Sequence, residues 1–508
     1  MRRPLASAPT TRLIAVSRHM TTASPPGDSS SAPDRRDNVF PDETPVLFES
    51  AYSSRTFILN QPKTLNALDQ GMINLISPKI KEWDNSNLCK MIISKGIGRA
   101  YCAGGEVKTI VKYAANEKTR QRALDYFKSE FQLDYDLATL QKPYISVMEG
   151  ITMGGGVGLS AYARFRIATP STLFAMPETK IGYAPDVGTT YILSRPRLDG
   201  EIGTYLALTG ETIKGYEVFR LGLATHYVDS SIIPSLLERL GGLEEPNDKV
   251  INETIEEFSL DVDAEREKEM GVDQLMISTG AVRVALDLAF GVKDIEGVFD
   301  TLRKFSNGAF SGNTEDKEKV SKWAKETLEV LNMRSPTSLR VAFEAVRRAS
   351  REDWRLSDSL QMELGIANAF CSGGSPDFIT GVTAVLFEKS KSRPNWSPST
   401  LPEISQSQII STFFDPTSPY VSNAPRLQTP RTSVQISLSH YALPTESEIR
   451  ALVMSDNGGE NALTREEVVE RLEVNKSGKK GVRAKVGEVI DRQCETFQGE
   501  YLRWKTWQ

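Results

Sequence analysis

Histidine is nearly absent from this chain, with only His19, His226 and His440 among 508 residues. There is also no G-x-S-x-G nucleophile turn, so a Ser-His triad has little to be built from. No H-E-x-x-H helix is present for a catalytic zinc. The four cysteines, Cys89, Cys102, Cys371 and Cys494, are scattered and form no C-x-x-C pair. That argues against a zinc ribbon or a disulfide scaffold and suits a reducing compartment. No apolar run approaches the ~20 residues that span a bilayer, and no G-x-x-x-x-G-K-[ST] phosphate loop occurs. The net charge of -5 gives no global bias toward nucleic acid or membrane.

Acidic residues are missing from the beginning. Arg2, Arg3, Arg12 and Arg18 precede the first acid, Asp28, among Ser, Thr and Ala. An Arg-rich, acid-poor start without a compact apolar segment reads as a mitochondrial transit peptide rather than a secretory signal; the alternative is an ordinary disordered terminus. A Ser-, Pro- and Asp-rich linker follows to about Asp37. A chain of 508 residues is too long for one compact core, so two or more folded units are expected.

From Val46 onward, apolar runs alternate with helical patterns. "VLFES" and "TFILN" read as paired strands, and "CKMIISKG", "KPYISVMEG", "FRIAT" and "TLFAM" as further strands. Apolar residues at Leu65, Leu68, Met72, Leu75, Ile76 and Ile80 predict a helix, and another is expected from Val107. Helical patterns dominate after Thr204. The front half is thus α/β with a largely parallel sheet, and the back half is helical. "SRPNWSPSTLPEISQS" reads as a domain boundary. Beyond it, "TREEVVERLEV" offers a capping box, Thr464 with Glu467.

The chemistry concentrates in two glycine-rich turns, "CAGGE" (Cys102 to Glu106) and "GGGVG" (Gly154 to Gly158), each after a strand and before a helix. Gly156, Gly158 and Ala161 satisfy G-x-G-x-x-A, but a dinucleotide site also needs an acid after the next strand, and "FRIAT" runs into Pro170, Ser171 and Thr172. Two readings remain. The glycines serve close helix packing, or two helix N-termini on neighbouring strands pool their N–H groups for a developing oxyanion. Acid–base groups are offered by "FAMPETKIGYAPDVG", where Glu178 and Asp186 each follow a proline in an apolar stretch. Carboxyls in such surroundings trade protons near neutrality; taken singly, each could equally be a loop or capping carboxylate.

The stretches "RAYCAGGE", "QKPYISVMEGITMGGGVGLS", "FRIATPSTLFAMPETKIGYAPDVGTTYIL", "YLALTGETIKG" and "RLGLATHYVDS" resemble the enoyl-CoA hydratase/isomerase (crotonase) superfamily, and within it the 3-hydroxyisobutyryl-CoA hydrolases. The resemblance runs from about Val46 to Ser397. It implies an α/β fold, a crotonase-like spiral of ββα turns with a helical C-terminal region. It implies an acyl-CoA thioester as substrate, no cofactor and a mitochondrial matrix enzyme of valine breakdown. Gly105 and Gly155 match the oxyanion-hole donors, Glu178 and Asp186 the catalytic pair, and Glu130 a substrate-contacting glutamate. Hydratases carry a second glutamate where this chain has Gly158, so thioester hydrolysis is favoured over water addition. Whether Glu178 is nucleophile or base for water stays open.

Some positions depart from the family pattern: Glu106 replaces an aspartate, and Thr383 and Gly365 stand where arginines are usual. The larger departure is the chain from Pro398 to Gln508, beyond the usual end of the family. A relative of this family is built into the small ribosomal subunit of fungal mitochondria. Lys479, Lys480 and Arg483, in a basic stretch with Trp504 and Trp507, are candidate contacts to rRNA or subunit proteins; the alternative is a solvated regulatory tail. The expected divisions are 1–40 (transit peptide and linker), 41–235 (spiral core), 236–397 (helical region completing the hydrolase unit) and 398–508 (linker and basic extension, mostly helical or irregular). No membrane partner is expected.

Overall fold

A computed structural model describes residues 44–194, 198–263, 277–430, 440–455 and 462–505. The segment read as a transit peptide and linker lies outside the described residues.

Strands β1 (Val46–Ala51) and β2 (Ser54–Leu59) form an antiparallel hairpin. The chain then winds as a spiral. β3 (Met91–Gly96), β5 (Tyr144–Met148), β7 (Phe165–Ala168) and β10 (His226–Tyr227) join one sheet in parallel, in the order β1-β2-β3-β5-β7-β10. The intervening strands β4 (Ala100–Cys102), β6 (Ile151–Met153), β8 (Leu173–Ala175) and β9 (Ile213–Lys214) form a second sheet, with β9 antiparallel at its edge. Each of three successive turns thus gives one strand to each sheet. The first four α-helices between them are α1 (Gln70–Asn85), α2 (Val107–Ala114), α3 (Arg120–Ala138) and α4 (Gly155–Ala161).

The unbroken apolar run of β5 follows from burial on both faces, as expected of a parallel strand. Ile145 and Val147 pack with Phe165, Ile167 and the helices Ile233–Gly241 and Asp248–Phe258, while Tyr144 and Met148 enter the main core on the opposite face. The first helix starts later than its apolar pattern suggested. Asp69 accepts a hydrogen bond from Met72 N (2.8 Å) and caps α1. Leu65 and Leu68 therefore precede the helix, and Leu75 lies on its exposed side. The capping box at Thr464 and Glu467 forms as expected.

The boundary placed at Pro398 is not a break in the packing. Residues Thr44–Gln508 form one compact unit. Trp396 is buried and donates to Met333 O (3.0 Å), and Phe413 meets the ring of Phe370 at 4.9 Å. Farther on, Leu443, Val468, Val482, Val486 and Ile490 share the main core with the spiral. Charge fixes the attachment. Lys485 pairs with Asp199 at 2.8 Å, both almost fully buried, and Glu446 sits between Arg283 and Arg492. The two guanidiniums hold the Glu446 carboxyl at about 2, below its usual range, against the opposing effect of burial.

Breaking a buried pair by removing one partner leaves an uncompensated charge and typically costs about 3–5 kcal/mol. Lys485→Met is therefore expected to lower unfolding stability by about that amount, read from denaturant midpoints. An unchanged midpoint would show that the extension does not brace the spiral.

Candidate active site

The two glycine turns meet. Leu68 N donates to Gly104 O (2.8 Å) and Glu106 N to Leu68 O (2.9 Å), which holds the first turn beside α1. Glu106 then caps α2 by accepting from Thr109 N (3.0 Å). In the second turn Gly154 has φ +47°, and α4 begins at Gly155, whose amide is one of the donors a helix start leaves without an intrahelical partner. A methyl group on Gly155 would lie 3.3 Å from Gly105 N, so the two backbones lie side by side.

The glycines do different work. At Gly156 a methyl would strike Cys102 O, so that glycine lets α4 lie on β4. At Gly155 it would strike Glu130 Oε1, and at Gly154 it would lie 3.1 Å from Glu178 Oε1. Close packing thus accounts for Gly156, while Gly154 and Gly155 lie against the acids Glu178 and Glu130. Around the turns stand Glu130 on α3, Glu178 at the head of a 3-10 turn after β8, and Asp186 in the next loop. Glu178 and Asp186 are each 7% exposed. The structure thus gathers Gly105, Gly155, Glu130 and Glu178, and links Asp186 to the two glutamates electrostatically.

Burial, followed by the nearby Asp186, pushes the Glu130 and Glu178 carboxyls well above the ordinary range. Burial raises Asp186 to about 7, partly offset by the nearby Tyr183 hydroxyl. The protons of such a cluster belong to the group rather than to any one acid.

Two further acids escaped sequence reasoning. Asp134, one helical turn after Glu130, is fully buried beside Gly158; its spacing from Glu130 was the available signal. Glu363, far along the chain, accepts from Gly188 N, Thr190 N (3.1 Å) and Thr190 Oγ1 (2.6 Å), and no local signal marks it. Burial raises it to about 8. These bonds brace a strained loop. Val187, next to Asp186, has φ +53°, a left-handed conformation that costs a β-branched residue on the order of 1–3 kcal/mol. Tyr162 Oη donates to Val187 O (2.8 Å) from the other side.

The basic residues of the extension are not part of this site, and of the three candidate contacts to rRNA or subunit protein, Lys479 and Lys480 are corrected, because their ammonium groups are taken up within the chain. Lys479 is 5% exposed and paired with Glu256. Lys480 donates to Glu256 O (2.9 Å) and Ser259 O (2.7 Å), closing the C-terminal end of the helix Asp248–Phe258. Arg483 is exposed and bonded to Glu466 and Glu473. His226 is buried, 3.3 Å from Glu256; burial first, then Lys479, keep its pKa well below normal, as befits a structural residue. At Gly365 a methyl would lie 3.7 Å from Val421 Cγ1, so the extension packs beside this glycine. Among the described residues no cluster of His, Cys, Asp and Glu could hold a metal ion.

Glu363→Ala would strip two buried amides of their acceptor, at about 1–3 kcal/mol each. The expected result is a stability loss of at least about 2 kcal/mol by denaturant titration; a loss within error would show that the Asp186–Thr190 loop holds itself.

The comparisons with known proteins agree with this geometry. The Enoyl-CoA hydratase/isomerase family matches residues 54–414. The small ribosomal subunit protein mS47 of Neurospora crassa is 38% identical over 91% of this chain and 88% of its own length. The mitochondrial 3-hydroxyisobutyryl-CoA hydrolase of Gallus gallus is 38% identical over 72% of this chain and 88% of its own. A carnitinyl-CoA dehydratase from Mycobacterium thermoresistibile superposes with a TM-score of 0.62 at 28% identity, covering 76% of this chain and 99% of that one. Fold, paired turns and sequence likeness converge: the chain belongs to the enoyl-CoA hydratase/isomerase family.

Proposed function

We propose that this chain hydrolyses an acyl-CoA thioester, 3-hydroxyisobutyryl-CoA, to 3-hydroxyisobutyrate and CoA in the mitochondrial matrix, as a step of valine breakdown. The observation that carries this reading is the placement of Glu178 Oε1 against Gly154, next to the paired amides of Gly105 and Gly155, while Gly158 supplies no second glutamate from α4.

The thioester oxygen would sit between the Gly105 and Gly155 amides. Attack at the carbonyl carbon moves an electron pair onto that oxygen, and the amides, already oriented, stabilise the charge. Glu178 either attacks directly, giving an anhydride that water then opens, or takes a proton from the attacking water; both routes are open to a carboxylate there. The C–S bond breaks, the sulfur leaves as the CoA thiolate and takes a proton, and the acyl group leaves as its carboxylate. Asp186 would bind the substrate hydroxyl or shuttle that proton, and Glu130 would contact substrate beside Gly155. Water is the co-reactant, and no cofactor is needed.

A second reading is favoured by the extent of the mS47 likeness, 91% of the chain against 72% for the hydrolase, so that it takes in the extension. Here the chain would serve as a component of the mitochondrial small ribosomal subunit, contacting subunit protein or rRNA, with or without turnover. The basic residues that face a partner would then be other than the buried Lys479. Sedimentation of the native protein in a mitochondrial lysate separates the two: comigration with the small subunit supports assembly, and a light fraction supports the free enzyme.

Three outcomes test the hydrolase. Glu178→Gln keeps the shape and removes the basicity; release of free thiol from 3-hydroxyisobutyryl-CoA should fall by about 10²–10⁴-fold with the melting temperature retained. Gly155→Ala should cost on the order of 10²-fold by displacing Glu130 and crowding the oxyanion position. Because the reaction needs an ionised carboxyl, and Asp186 titrates at about 7 with Glu178 higher than its usual range, kcat/KM should fall as pH is lowered below neutrality. A profile flat to pH 5 would remove these two acids from the chemistry.

A further inference from the structure

Helix α3 carries a polar stripe at Tyr126, Glu130 and Asp134, each one turn from the next and all buried. The stripe lies along the glycines of the two turns. A methyl on Gly105 would come within 2.7 Å of Tyr126 Oη and 3.6 Å of Glu130 Oε1, and one on Gly155 would strike Glu130 Oε1. One on Gly158 would lie 2.8 and 2.9 Å from the two Asp134 oxygens and 2.7 Å from Val187 Cβ. Tyr126 has a partner, donating to Leu68 O at 2.8 Å. Glu130 Oε1 and both Asp134 oxygens have none among the described residues, and Asp134 is 0% exposed. Buried polar atoms without partners are uncommon in folded proteins, and each calls for a physical reason.

The groups that face Asp134 are all acidic or neutral. Glu130 comes from its own helix, Asp186 from the loop before Val187 and Glu363 from the helix Leu356–Cys371. Tyr144 on β5, Tyr162 after α4 and Cys102 on β4 complete the set. No cation stands among them to stabilise an ionised aspartate, and burial and the neighbouring acids all favour its protonated form.

We propose that Asp134 is a positioning residue of the site: kept in its acid form it leaves Glu130 undisturbed beside the paired amides of Gly105 and Gly155, and on ionising it repels Glu130 from that place. The catalytic part of this inference rests on the hydrolase reading. Its physical basis is the like-charge repulsion between two carboxylates one helical turn apart in a low-dielectric interior.

The sign of the effect follows from linkage. An acid raised in the folded state gives stability that is complete below its unfolded pKa and is lost as pH rises toward its folded pKa. Wild-type stability should therefore decline above the ordinary carboxyl range.

Asp134→Asn imitates the acid form at every pH. Thermal melts from pH 6 to 9 should show the variant gaining on wild type as pH rises. In hydrolysis of 3-hydroxyisobutyryl-CoA, the alkaline loss of kcat in wild type should be absent from the variant, while the acid limb, set by Glu178 and Asp186, stays in place. Asp134→Ala should show the same alkaline behaviour, which guards against a folding defect in the first variant. Melting curves that stay parallel at all pH values, or an alkaline limb identical to wild type, would overturn the proposal. If wild type releases no CoA, the hydrolase reading fails, and the melting arm still decides for or against Asp134.

Discussion

Everything at the site depends on how closely α4 can approach the backbone around it. At Gly156 there is room for a hydrogen and not for a methyl, because Cys102 O occupies that space. The contact sets the height of α4 over β4 and so places the first amide of the helix beside the amide of Gly105. A side chain at Gly156 would lift the helix and separate the amides of Gly155 and Gly105. Tyr144 Oη, 2.6 Å from Leu159 O, ties the same helix to β5. Buried strands that leave no freedom in the spiral thus set the geometry on which thioester chemistry would rely.

The acids around those amides come from separate parts of the chain: Glu130 and Asp134 from α3, Glu178 and Asp186 from the segment after β8, and Glu363 from the helical region. Gathering carboxyls in a nearly dry interior is unfavourable for folding, and so is the left-handed Val187 beside Asp186. Both persist because neighbours hold the loop from two sides, Glu363 through backbone amides and Tyr162 through Val187 O. The result is a cluster of acids that shares protons near neutrality, which suits a reaction that must both activate water and protonate a leaving group.

The extension is bound to the catalytic unit by charge and by packing together. Lys479, Lys485 and Arg492 are buried cations with acidic partners, and their stretch of sequence looked like a free basic tail. The outward-facing surface is more balanced than the sequence suggests, since Arg483 is matched by Glu466 and Glu473. Val421, from the extension, packs beside Gly365 on the helix Leu356–Cys371.

Local pattern was enough for much of this. Apolar runs too short to be long helices, divided by glycine turns, already specify parallel strands buried on both faces. "CAGGE" and "GGGVG" announce the two turns, and Glu178 and Asp186 stand out as acids set behind prolines in apolar sequence. These are readable because each depends on residues a few positions apart. What stayed hidden depends on residues far apart. Glu363 joins the site from a helix that lies well beyond the loop it braces. Asp134 lies against Gly158, a contact made only once the chain has folded. Lys479 is neutralised by Glu256, a partner no local pattern could name. The Pro/Ser-rich stretch after Asn395 has a linker's composition, yet Trp396 and Phe413 bury into the core. Composition determines what a segment can do alone; whether it is a linker, a clamp or a binding surface is decided by the burial and the counter-charge it meets once the chain has folded.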